Sequence, residues 1–225
     1  FAAGIVQERR RVTHIIATQA TRLGAFVDET LLSGGIVVDK SGRISDLIGI
    51  DSSIRGAPTI SDVAARLPIY ADRLGPRRLE TFNQIRDLLA PFRESLDELG
   101  VEVGSRPDVI PGGFYIPRAL RSSGRRIAGT RRPRATSGYL HEADFPSQSM
   151  GIDDGYEYLP MGDAVRRYAR QVGQDTLDAH SARYLTTLAE EGTGIGTVSG
   201  IDIQPLRGTT FDTEMANAIN TELLR

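Results

Sequence analysis

The sequence predicts a mainly α chain, with long amphipathic helices forming a bundle or arm, a long extended Arg/Gly/Pro-rich segment, and room for one small β-hairpin. Three observations carry this expectation. Apolar residues recur at helical spacing in three long stretches, near Ile5–Leu32, Leu79–Leu99 and Val165–Leu188. Between Val101 and Pro160 no period persists, and Pro, Gly, Ser and Arg dominate. Finally, the 225 residues include 24 Gly and no Trp, with 6% aromatics, which favours aliphatic helix packing joined by long connections.

The first helix follows from Ile5, Val12, Ile15, Ile16, Leu23, Phe26, Val27 and Leu31, with Arg9, Arg10, Arg11, Arg22, Asp28 and Glu29 mostly on the opposite face. At ~28 residues it would be about 42 Å long. Ser33-Gly34-Gly35 ends it, since Gly readily takes the left-handed cap conformation. Two readings compete for the next stretch. Ile36–Val38 and Arg43–Ser45 around Asp39-Lys40-Ser41-Gly42 fit a hairpin; a loop followed by a short helix over Ile44–Ile50 fits as well.

Thr59 with Asp62 three residues on is a capping-box variant, opening a helix that should stop near Leu67-Pro68. Leu74-Gly75-Pro76 restarts the chain, with Pro76 suited to the first helical position. Leu79, Phe82, Ile85, Leu89, Phe92, Leu96 and Leu99 then hold one phase straight through Pro91, which predicts a kinked helix packed on both halves and ended by Gly100. Pro160 opens the next long helix, through Val165, Tyr168, Val172, Leu177, Tyr184, Leu185 and Leu188. Gly192–Gly200 reads as a glycine-rich joint, and a last helix is expected from Phe211 or Asp212. The organisation that follows is residues 1–56, 57–104, an extended polar strap over 105–160, and 161–225.

Composition narrows the chemistry. The absence of Cys removes disulfides, thiolate metal sites and cysteine nucleophiles. Lys40 is the only lysine among 27 basic residues, so almost every cation is a forked, permanently charged guanidinium. A net charge of −2 gives no global attraction to nucleic acid or anionic lipid. No apolar run approaches the ~18 residues a membrane span needs. The chain starts at Phe1 and ends in helical period at Arg225, which suggests an internal piece of a longer polypeptide.

The polar middle is the main candidate site. Arg118, Arg121, Arg125, Arg126, Arg131, Arg132 and Arg134 lie in a stretch without acids, followed by Glu142, Asp144, Asp153, Asp154, Glu157 and Asp163. Seven guanidiniums near aromatics could clamp phosphates and stack bases. Equally, seven positive and six negative charges nearly cancel, so the two blocks could pair with each other or with an acidic partner. Phe114, Tyr115, Ile116, Tyr139, Leu140 and Phe145 are anchors that a freely disordered tail rarely carries, and docking is expected at Phe114, Tyr115, Pro117 and Tyr139.

Other signals fall short of a site. Gly192-Thr-Gly-Ile-Gly196 follows a helix, whereas a dinucleotide turn follows a strand. His141-Glu-Ala-Asp144 lacks the second His of a zinc helix, and Asp153-Asp-Gly-Tyr-Glu157 lacks the spacing of a calcium loop. Glu94-Ser95 matches the pair used by peptidoglycan-cleaving transglycosylases, but without their following Gly-Leu-Met-Gln region. No cofactor, metal site or catalytic residue is expected.

Three stretches in order, Ala57–Tyr70 leading to Leu99–Gly104, Gly112–Arg118, and Gly155–Tyr168, contain a Tyr-x-Pro-Arg segment, an Arg-rich run, a Gly-x-x-Tyr turn and a Tyr-ended helix. Together, over roughly Ala57–Leu188, they resemble the polyvalent or internal-virion (ejection) proteins of tailed phages and prophages. That resemblance implies a non-catalytic helical segment of a large virion protein, carried in the particle and delivered with the genome. Its partners would be other virion subunits, with homo-oligomers plausible because such proteins often form rings or tubes. Binding of DNA through Arg118–Arg134, or a place in the non-catalytic part of a larger virion enzyme, are the alternatives.

Overall fold

A computed structural model of the chain describes residues 2–98, 108–121, 147–191, 196–197 and 210–211. It is mainly α. The helices are α1 (Ala2–Ser33), α2 (Ile60–Ala65), α3 (Leu67–Glu98), α4 (Gln148–Asp153) and α5 (Met161–Glu191). Two two-residue strands, β1 (Gly196–Thr197) and β2 (Thr210–Phe211), pair antiparallel. The chain divides into two compact units, Ala20–Ala169 and a second made of Phe1–Gln19 with Arg170–Arg225.

In the larger unit the buried positions of α1 include Ala20, Gly24, Val27 and Leu31, steps of four, three and four along one stripe, with Thr30 beside them. This stripe is narrower than the large apolar residues alone suggest, and Phe26 is exposed beside it. The reason is the approach of α5. A Cβ on Gly162 would sit 2.5 Å from the Gly24 carbonyl oxygen and would collide with the Asp28 carboxylate. Small residues let the two backbones meet there. A bulky side chain is therefore displaced to solvent.

The core of this unit gathers Val27, Leu31, Ile44, Leu47, Val63, Tyr70, Phe82, Ile85, Phe114, Ile116 and Val165. Helix α2 is buried along its whole length. Thr59 caps it: its hydroxyl accepts from the Asp62 amide at 3.3 Å while Asp62 Oδ2 accepts from the Thr59 amide at 2.9 Å. In α3, Gly75 breaks the helix at φ 71°, ψ 167°, a conformation costly for other residues, and Pro76 opens the second half. Pro91 leaves the helical backbone angles intact. It lies on the exposed face, so the Asp87 carbonyl that loses its partner faces water.

The hairpin expected over Ile36–Ser45 does not form. The turn does: Gly42 N–H donates to the Asp39 carbonyl at 3.0 Å, and Asp39 N–H to that of Arg43 at 2.9 Å. The return strand is drawn elsewhere, because Ile44 enters the core and its N–H donates to the Pro58 carbonyl at 2.8 Å, with Arg43 bridged to Thr59. A single 3-10 turn at Ser45–Leu47 follows, a shortened version of the competing helical reading.

Two described parts of the polar middle lie against the helices. Ile110 and Phe114 N–H donate to the Ala65 and Ala64 carbonyls at 3.0 and 2.9 Å, groups that the short helix α2 leaves unpaired at its C-terminus. Leu120 and Tyr158 then form an antiparallel bridge, with Arg121 N–H on the Glu157 carbonyl and Leu159 N–H on that of Ala119. Helix α4 was not legible by period. Of the two starts expected for the last helix, Phe211 is in β2, and Asp212 with the rest of 212–225 lies outside the described residues.

In the smaller unit the early part of α1 lies beside the later part of α5. Arg9 donates to Ser181 Oγ at 3.1 Å and pairs with Asp178, which also accepts from Gln174 at 2.9 Å. Ile16 packs where Gly173 has no side chain.

Overpacking by one methyl at the α1–α5 contact should be felt globally. Gly162→Ala is expected to cost about 1–3 kcal/mol, read as a lower urea midpoint at unchanged m value.

Candidate functional site

The basic block begins inside the fold. Arg118 pairs with Asp108 at 3.2 Å, and their side chains are only 7% and 9% exposed. Loss of one partner from such a buried pair costs ~3–5 kcal/mol, because the other charge is stranded. Arg121 pairs with Glu157 at 3.7 Å in a largely exposed setting, worth about 0–1 kcal/mol. Only the second pair joins the basic to the acidic block. Arg118 finds its acid ten residues earlier. Arg125, Arg126, Arg131, Arg132 and Arg134 lie outside the described residues.

Among the expected anchors, Phe114 and Pro117 are buried and Tyr115 is half-buried; Tyr139 lies outside the described residues. Phe114 joins the core cluster together with Ile116, another of the expected anchors; Leu140 and Phe145 lie outside the described residues. The alternation of Phe114 and Ile116 sets both on one side.

A second constellation emerged only in three dimensions, around Asp62. Its Oδ1 accepts from Gln148 N–H at 2.9 Å. Its Oδ2 accepts from Ser149 N–H at 3.1 Å, Thr59 N–H at 2.9 Å and the Thr59 hydroxyl at 2.8 Å. One buried carboxylate thus serves the start of α2 and the start of α4. Ser147 completes α4 by accepting from Met150 N–H at 3.2 Å.

Arg43 closes the same region from outside. Its guanidinium donates to the Ser149 carbonyl at 3.1 Å and to Asp153 Oδ1 at 2.5 Å, and it reaches the Ala57 carbonyl at 3.4 Å. Asp153 belongs to the acidic block, so that block is partly answered by an arginine from far upstream. Asp28 repeats the device at α5, accepting from Gly162 N–H at 2.9 Å.

Asp51 accepts from the Ser53 amide and hydroxyl at 2.9 and 2.6 Å and lies 3.4 Å from Arg66. Burial, reinforced by the negative charges of Asp51 and Asp62 and opposed by Arg66, pushes the Tyr70 phenol well above its ordinary range. Tyr70 therefore stays neutral beside the carboxylates. The arrangement has the character of polar cross-links rather than of proton-transfer machinery: Asp62 is saturated with donors from its own chain. Among the described residues no group of three or more His, Asp or Glu side chains could hold a metal ion. Likewise, no helix among them is long and apolar enough to cross a membrane.

Two outcomes follow. Asp62→Asn trades an acceptor oxygen for a donor, and should cost at least about 1.5–3 kcal/mol, the worth of hydrogen bonds to a charged group. Hydrogen exchange at the Gln148 and Ser149 amides should quicken, while exchange at Ile85 in α3 changes less. For Tyr70 the folded pKa is raised, so its contribution is complete below the unfolded value of about 10 and is lost as pH climbs beyond it. Urea unfolding across that range should show a shallower alkaline loss in Tyr70→Phe than in the parent chain.

The chain matches no family model, no curated protein and no solved structure, so what is said of its role rests on the residues themselves.

Proposed function

We propose that the chain is a non-catalytic structural and assembly segment of a large phage virion protein, of the internal or ejection type, that packs against neighbouring subunits in the particle. It would travel in the virion and enter the host with the genome. The sequence resemblance over Ala57–Leu188 supplies the class of protein. The observation that supports a structural role is the use made of the polar residues. Arg43, Asp62 and Asp28 are each engaged by distant parts of the same chain, with Asp62 taking four donors, and Arg118 is held by Asp108 ten residues earlier.

The rival role, nucleic-acid binding through Arg118–Arg134, would fall to the five arginines beyond Arg121, because Arg118 and Arg121 already hold acids. Phosphate contacts release counterions, so such binding weakens steeply with salt, with a slope near −0.9 per phosphate neutralised on duplex DNA.

The structural reading expects purified particles to contain this segment in cross-links to other virion proteins. It also expects the isolated chain to bind DNA feebly, with the same salt slope after Arg125, Arg126, Arg131 and Arg132 are all changed to Ala. Tight binding whose slope flattens by several units in that variant would transfer the function to the basic block.

A further inference from the structure

We propose that the larger unit encloses an internal water site, in which one ordered water bridges the Tyr70 hydroxyl to the Asp51 carboxylate. The ligand is a neutral molecule that both donates and accepts, not a cation. The site goes beyond the assembly role proposed above and does not depend on it.

Four side-chain oxygens carry the inference. Asp51 Oδ2, Ser61 Oγ, Tyr70 Oη and Gln148 Oε1 are buried and make no hydrogen bond with any described residue. Tyr70 is 0% and Asp51 8% exposed, so both are shut off from bulk solvent. A buried polar group without a partner is costly, and native proteins complete such groups with protein atoms or ordered water.

All four border α2. Ser61 precedes Asp62 in that helix, and Gln148 is tied to Asp62 Oδ1 through its own N–H at 2.9 Å. Asp51 Oδ2 lies 3.4 Å from Nη1 of Arg66, whose N–H donates to the Asp62 carbonyl at 3.2 Å where α2 ends. Tyr70 follows Arg66 by four residues, about one helical turn, at the start of α3. Its phenol feels the charge of Asp51 more than that of Asp62, with Arg66 opposing both. The hydroxyl therefore belongs beside the Asp51–Arg66 pair.

The inventory of donors and acceptors selects water. Tyr70 offers one O–H and Asp51 Oδ2 only accepts, yet no direct bond joins them. Asp51 Oδ1 is already taken by the Ser53 amide and hydroxyl at 2.9 and 2.6 Å. A water between the two accepts the Tyr70 proton and gives one of its own to Asp51 Oδ2. Buried waters usually hold about three bonds; Ser61 Oγ and Gln148 Oε1, on the same helix border, are groups able to supply a third. A cation suits the place less well. Arg66 already balances Asp51, and Asp62 is saturated by four donors, so no uncompensated negative charge repays an ion's dehydration.

Proton NMR of the full chain tests the site. The Tyr70 hydroxyl proton should exchange slowly enough to give its own resonance, missing in Tyr70→Phe, with a cross-peak to a long-lived water. A hydroxyl that exchanges as fast as that of an exposed tyrosine overturns the proposal. So does a slow hydroxyl whose cross-peaks reach protein protons alone, which would mean a direct bond. The urea midpoint should also be the same in sodium, potassium and ammonium chloride at one ionic strength. A rise in one of these salts that Tyr70→Phe abolishes would give the site to a cation and overturn the choice of water.

Discussion

The fold of the larger unit depends on one buried carboxylate. Asp62 sits in α2, six residues long and buried throughout, and a helix so short has almost no stability of its own. Its N-terminus is finished by Thr59 and Asp62, and its C-terminal carbonyls by Ile110 and Phe114. Asp62 then accepts from the Gln148 and Ser149 amides. A charged group buried among apolar residues is costly unless every lone pair is used. Here the cost is offset only when the upstream helix and the downstream segment are both in place. That makes the docking of α4 conditional on α2, and the reverse.

The same logic recurs at lower burial. Asp28 on α1 accepts from the first turn of α5, and Arg43 holds the carbonyl of Ser149 and the carboxylate of Asp153. In each case a side chain from the first third of the sequence finishes an element more than a hundred residues later. Carboxylates meet helix N-termini, where the backbone dipole and free amides favour them. The guanidinium meets carbonyls and an acid at the other side of α4. Among the described residues, the buried Asp62 and the part-buried Arg43 join parts of the chain itself.

The long helices were legible because their apolar residues repeat with a helical period, and Thr59-Asp62 and Gly75-Pro76 announce their own geometry. The seam between α1 and α5 was less so. Its closest approach is between Gly24 and Gly162, which carry no hydrophobic signal, while the large Phe26 beside them is exposed. Helix α4 spans too few residues to establish a period, and beside its own cap Ser147 it relies on acceptors from Asp62, which no local pattern reveals. The Ile36–Val38 run was read as half of a hairpin on propensity. Tertiary burial of Ile44 took the other half to Pro58 and Thr59. For the candidate site, the sequence located the polar middle and the anchor Phe114, but the pairing of Arg118 with Asp108 required the chain to turn at Pro111-Gly112, where Gly112 has φ 84°.

These long-distance caps also set the order of events as the polypeptide leaves the ribosome. Asp62 and its donor at Ser149 are 87 residues apart, and Asp28 and its donor at Gly162 are 134 apart. At roughly 5–20 residues per second, the first interval alone lasts about 4–17 seconds. During that time Asp62 has only Thr59 to bond and must stay hydrated, so α2 cannot sink into a finished core. The full set of donors to Asp62 is therefore complete only once residue 149 has been made.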